Sequence, residues 1–159
     1  MDKSTCSSSM TNLSENSKFH KILKKYIIGI FIAREGGDIL YSKSFTDDFD
    51  IKIPLMSNFI AALNVFGEEN VGKIQRILIE GLNIEMNIVA KHGLILTMMF
   101  RPNIIKDHIS TFYETGLDLF YTKFHDQILH NRSNKSIYES IEPDLNTLLY
   151  KYLVHIKAI

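Results

Sequence analysis

The sequence holds a single cysteine, Cys6, in a polar N-terminal stretch. One thiol excludes an intrachain disulfide and gives no argument for an oxidising compartment, so a reduced cytosol is expected. Neither sign of charge is in excess: 18 basic residues face 18 acidic ones, the formal net charge is zero and the pI is near 7. Without a basic surplus to neutralise a phosphate backbone, nucleic acid is excluded as the expected partner. No apolar run approaches the roughly 18 residues needed to cross a bilayer, and the N-terminus lacks the charged, apolar and small-residue order of a signal peptide, so a soluble chain is expected. Proline is scarce too, and each of Pro54, Pro102 and Pro143 stands at the start of a helical pattern, where a missing N–H costs least. The sequence also lacks any nucleophile, base and orienting group at catalytic spacing, which argues against an enzyme.

What is present reads as one core. A chain of 159 residues, 45% hydrophobic and 23% charged, is long enough for one sizeable domain. Met1 to about Lys18 is rich in Ser, Thr, Asn and Lys and is expected to be a disordered tail, leaving 19–159 as the folded part. Phe19, Ile22, Leu23 and Tyr26 recur at helical spacing among Lys18, Lys21, Lys24 and Lys25, which predicts a short amphipathic turn packed on the fold rather than a basic membrane-surface anchor.

Tyr26 to Phe45 organises the rest. Its first half is apolar at almost every position, as in a strand covered on both faces, and Arg34-Glu-Gly-Gly-Asp38 supplies a hairpin turn before a second strand, Ile39–Phe45. Asp47, Asp48 and Asp50 lack the mid-loop glycine and closing glutamate of a calcium loop, and read as a solvated connector. A helix follows from Pro54, with Leu55, Phe59, Ala62 and Phe66 as the core face and Gly67 as its stop. Met56, Ile60 and Leu63 widen the stripe, toward deeper burial or a second contact surface. Gly67 to Ile74 imitates a phosphate-cradling loop, but Ile74 stands where a hydroxyl must bind magnesium and the element order is reversed, so no nucleotide or other cofactor is expected.

Three strands are predicted next: Ile74–Glu80, Leu82–Ala90 with Leu82, Ile84, Met86 and Ile88 inward, and the apolar Leu94–Phe100 after a Lys91-His-Gly93 turn. A long helical pattern runs from Pro102 through Ile105, Ile109, Phe112, Gly116 and Leu119 to Ile128. His130 to Ser136 is a polar connector, and a last helical pattern carries Ile141, Leu145, Leu148, Tyr152, Ile156 and Ile159. His92, His108, His125 and His130 have no partner at metal spacing, so no metal is expected.

The expected fold is therefore α+β: a five-stranded antiparallel sheet in the order β-β-α-β-β-β-α-α, with helices on both faces and the first and last strands paired centrally. This order, with the motif at Ile32 to Ser42 (IAREGGDILYS), resembles the longin domain family and more loosely the related roadblock fold. A roadblock domain would begin with a proper helix and lack the final helix pair, which favours the longin form. The resemblance implies a non-enzymatic module of vesicle-trafficking, adaptor or tethering complexes, or a scaffold or regulator of a Ras-like small GTPase, cytoplasmic and at most peripherally associated with membranes. Heavy use of Ile, Lys and Asn suits an AT-rich, archaeal source.

The expected mechanism is homo- or heterodimerisation through a sheet edge and the first long helix, with Met56, Phe59, Ile60 and Leu63 on the helix and Ile74, Arg76 and Leu78 on the edge strand as protein-binding candidates. Each helix candidate also suits the core. An arginine finger from Arg34, Arg76 or Arg101 has nothing in the sequence to single it out. The rival readings are a roadblock-type GTPase regulator, a PAS- or profilin-like ligand-sensing domain with an internal cavity, and a small transferase without a visible catalytic set.

Overall fold

The protein is described by a computed structural model over residues 5–49, 52–102, 109–132 and 134–159, with side chains from Asn16 onward. A helix, α1 (Thr5–Tyr26), leads into the hairpin β1 (Ile27–Arg34) and β2 (Ile39–Ser44); α2 (Ile53–Asn70) follows, then β3 (Arg76–Glu80), β4 (Glu85–Lys91) and β5 (Leu94–Phe100). The chain closes with α3 (Ile109–Lys123), the short helices α4 (His125–Leu129) and α5 (Lys135–Tyr138), a 3-10 turn and α6 (Glu142–His155). Of the expectations above, those on residues 1–4 of the N-terminal tail, Asp50, Ile105, His108 and residue 133 of the polar connector lie outside the described residues.

The five strands form one antiparallel sheet in the order β2-β1-β5-β4-β3, with the first and last strands paired at its centre as their unbroken apolarity predicts. Every residue of β5 and all but the last of β1 are buried. Alternation divides their side chains between two cores. Ile30, Ile32, Leu96, Met98 and Phe100 meet Phe19 and Leu23 of α1, Phe112, Leu117 and Phe120 of α3, and Leu145, Leu149 and Leu153 of α6. Phe31, Ala33, Ile95 and Met99 point the other way, toward α2. The β4–β5 turn places His92 (φ 59°) and Gly93 (φ 72°) both at positive φ, the geometry of a two-residue hairpin with right-handed strand twist.

Several expectations are corrected. The N-terminal helix starts at Thr5 rather than near Phe19, so the polar stretch from Thr5 onward, expected as tail, is helical; once the packed turns at Phe19 and Leu23 nucleate it, extension adds one hydrogen bond per residue fixed. This is the leading helix that the longin reading denied, and it stands here together with the C-terminal helices. Leu82 is 98% exposed, because Gly81 N–H bonds Ile84 O and closes a turn before β4 begins at Glu85. Ile74 and Gln75 likewise precede β3. Gly67 does not stop α2, which runs on to Asn70; a Cβ there would collide with the Ile74 side chain, so the glycine lets Ile74 cross the helix, and Gly72 at φ +92° makes the turn. The long C-terminal pattern breaks at Phe124 into α3 and α4, and the expected polar connector runs into α5, capped by the Asn134 side chain accepting from Ser136 N–H.

Candidate functional site

The two faces of the sheet are covered unequally. One carries α1 and all the C-terminal helices; the other carries only α2 among the described residues. On α2 the inward row is Ile53, Met56, Ser57, Ile60, Leu63 and Gly67, of which Ser57, Ile60 and Gly67 are buried. The outward row is Leu55, Phe59, Ala62 and Phe66, with Leu55 68%, Phe59 54% and Phe66 61% exposed. The expected core face of α2 is thus its outer face, and the residues of the extra stripe are the ones that meet the sheet. Small and polar residues settle the orientation: Ser57 Oγ donates to Gly37 O at 2.8 Å, tying the helix to the β1–β2 turn, and Gly67 admits Ile74.

Beside the N-terminal half of α2 runs an open groove of about 890 Å³, lined by Leu55, Met56 and Phe59 together with Ile79, Ile84 and Met86, with Lys52 and Asn58 at its rim. It ends at the edge of the sheet. The two edges differ. β2 is backed by α5, and its Lys43 Nζ and Tyr41 Oη reach Glu142 Oε1 at 2.8 and 3.5 Å. Among the described strands β3 is hydrogen-bonded to β4 alone, and Leu78 in its middle is 53% exposed. Gln75 O accepts from Ala90 N–H and Gly81 N–H donates to Ile84 O, so the odd-numbered residues of this strand turn their backbone groups toward β4. By alternation the N–H and C=O of Arg76, Leu78 and Glu80 face outward, unpaired with any described strand.

The candidate residues can now be placed. Phe59 and Met56 line the groove, Leu78 and Arg76 lie on the edge strand, Leu63 and Ile74 are half-buried under the C-terminal half of α2, and Ile60, 1% exposed, faces the sheet and offers no surface. Leu55, expected in the core, belongs instead to this surface. Of the three arginines weighed as fingers, Arg34 is engaged by the carbonyls of Ile128 and Arg132, at 2.9 and 3.0 Å. Arg101 holds Lys24 O at the end of α1 and Asp48 Oδ2 at 3.0 Å, which keeps the Asp48 carboxyl below its usual range. Arg76 makes an exposed 3.3 Å contact with Glu114.

Polar groups elsewhere hold the frame together. His92 Nε2 lies 2.7 Å from Asp118 Oδ1 and its ring stacks on Tyr121, while Lys91 Nζ sits 2.9 Å from the same carboxylate oxygen. Hydrogen bonds from Lys91 first, then His92, lower the Asp118 pKa and pin the β4–β5 turn to α3. The lysine of the imitation phosphate loop, Lys73, points to Glu35 at 3.7 Å, and its glycines belong to a helix end and a turn. Among the described residues no group of three or more His, Cys, Asp or Glu could hold a metal ion, and no helix is long and apolar enough to cross a membrane.

No protein-family model and no curated protein sequence matches the chain. Solved structures do. MglB of Myxococcus xanthus is similar over 69% of this chain and 97% of that one, at 12% identity and a TM-score of 0.53. Gliding protein MglB of Thermus thermophilus matches over 60% and 76% at 10% identity with a TM-score of 0.49, and a Roadblock/LC7 domain of Streptomyces avermitilis over 52% and 74% at 9% identity with a TM-score of 0.41. The first of these shows a shared fold: an α+β, longin-like arrangement of a five-stranded antiparallel sheet between helices.

Proposed function

We propose that the chain is a non-enzymatic interaction module which dimerises through the β3 edge and the outer face of α2, building a platform that scaffolds or regulates a Ras-like small GTPase or a vesicle-trafficking complex. The observation that carries the dimer is the meeting of two unfinished surfaces: an exposed apolar row on α2, and beside it an open strand edge. Exposed Leu55, Phe59 and Phe66 on one helix form the kind of apolar patch that soluble chains keep for a partner. An unpaired strand edge supplies backbone hydrogen bonds and register. Support for the GTPase comes from the longin and roadblock resemblance of the sequence and from the fold shared with MglB.

Sedimentation equilibrium over micromolar concentrations tests the first half. The wild-type chain is expected to self-associate, and Phe59→Asp to sediment as a monomer with unchanged circular dichroism. A wild-type chain that stays monomeric overturns the dimer. For the second half, immobilised wild-type protein is expected to retain a small GTPase from a lysate of the source cell, identified by mass spectrometry, and Phe59→Asp to retain less. Retention of none overturns the GTPase reading.

A further inference from the structure

On the sheet face opposite α2, between β3, β4 and the start of α3, lies a second cavity of about 280 Å³. Its sheet wall is made of cross-strand neighbours, Leu78 beside Asn87 and Arg76 beside Val89. Ile109, Ser110 and Tyr113, within little more than one turn of α3, form the helix wall. The lining is thus an apolar surface with a polar set of one cation, one amide and two hydroxyls. We infer that this cavity is a binding site for a small carboxylate with a short apolar body, its acid group met by that polar set and its body by Leu78, Val89 and Ile109. The site lies on the face of the sheet away from α2 and goes beyond the interaction module proposed above; either reading can fail alone.

Tyr113 carries the argument. The residue is 3% exposed, yet its hydroxyl has no hydrogen-bond partner among the described residues. A phenylalanine would fill the same space without burying an unmet polar group, so packing does not account for the hydroxyl. Burial pushes the phenol pKa up, which leaves an O–H donor at every physiological pH. The influences that work against that rise are the Asn87 side chain and the Arg76 charge, and both line the cavity, so the hydroxyl is turned toward its polar side. Sign and size then choose the ligand. No Asp or Glu lines the cavity among the described residues, whereas Arg76 offers five N–H donors and spends few of them on its exposed 3.3 Å contact with Glu114. An acceptor-bearing anion therefore fits and a metal ion or an amine does not. The volume is at the lower end for small-molecule sites, too little for a nucleotide, and a bare phosphate would leave Leu78, Val89 and Ile109 unused.

An NMR titration of the isotope-labelled chain tests this, with sodium hexanoate as the acid probe and hexanamide as its neutral counterpart. Hexanoate is expected to give saturable amide shifts at 76–78, 87–89 and 109–113 at about millimolar concentration, as befits so small a ligand. Tyr113→Phe keeps the shape and lies away from the strand edge; it is expected to weaken both probes about tenfold while leaving the melting temperature equal to or above that of wild type. A hydroxyl with a structural role would lower the melting temperature instead. Arg76→Gln is expected to weaken hexanoate about tenfold and hexanamide less than about twofold. Failure of hexanoate to give saturable shifts, shifts centred on the groove beside α2, or unchanged affinity in the Tyr113→Phe chain overturns the site. Equal effects of Arg76→Gln on the two probes, including none on either, overturn the choice of a carboxylate.

Discussion

The two faces of the sheet are built from the same strands and finished differently. The face under α1, α3 and α6 is closed by large fully buried side chains, with Phe120 stacked on Tyr138 at 5.5 Å and Phe124 set edge-on to the same ring at 5.1 Å. The face under α2 has a smaller core and ends in an open groove. Its central strand buries the Thr97 hydroxyl without a hydrogen-bond partner among the described residues, a group whose desolvation costs about 1–3 kcal/mol when unmet. Stability is concentrated on the first face and available surface on the second. A module that must fold alone yet bind a partner over a broad surface can divide its sheet in this way.

Substitutions on the two faces break or sharpen this comparison. Phe120→Ala removes a fully buried ring from the closed face, where its neighbours are locked in place, and is expected to cost about 3–5 kcal/mol in urea unfolding. Ile60→Ala removes an equally buried side chain from beneath α2; with a groove alongside into which the site can relax, a loss of about 2 kcal/mol is expected. Equal losses at the two sites would remove the asymmetry. Gly116→Ala runs in the opposite direction. The added Cβ would meet Leu96, Leu145 and Leu148 at 3.7–3.9 Å, ordinary contact distances, so the helical preference of alanine is expected to raise stability by up to about 1 kcal/mol in the same assay.

The smallest effect expected is electrostatic. Asp118 is held ionised in the folded state by Lys91 and His92, so its folded pKa lies below its unfolded value. A depressed carboxyl contributes stability that is present above the unfolded pKa, near 4, and is lost as pH falls through the folded value. The group is solvent-exposed, and screening keeps the contribution small. Asp118→Asn is expected to flatten the acid limb of a stability-against-pH curve slightly while leaving the neutral plateau close to wild type.

How far the chain could be read without coordinates follows the same division. The sheet and the central pairing of β1 with β5 were legible, because a strand buried on both faces has no polar alternation to hide. The orientation of α2 was not, because both of its rows are apolar at the same helical period, and periodicity reports a stripe without saying what lies beneath it. Ser57 and Gly67 carried the missing signal: a small or hydrogen-bonding residue marks where a helix comes close to its neighbour. The break at Phe124 and the burial of Tyr138 left no local signature, since a ring stack between α3 and α5 is a tertiary contact. The edge position of β3, and with it the placement of Arg76 and Leu78, was legible from the order of elements; the exposure of Leu55 was not, for the reason that inverted the helix.

The neighbour that completes the first strand arrives late. Ile27 pairs with Phe100, and Arg34 with Leu94. During synthesis β1 and β2 therefore leave the ribosome as a hairpin with one long, apolar flank bare, and they wait for α2, β3 and β4 to be made before β5 can slot in beside them. Pairing of the central strands is therefore expected to wait until β5 has been made, with the nascent hairpin the segment most in need of a chaperone.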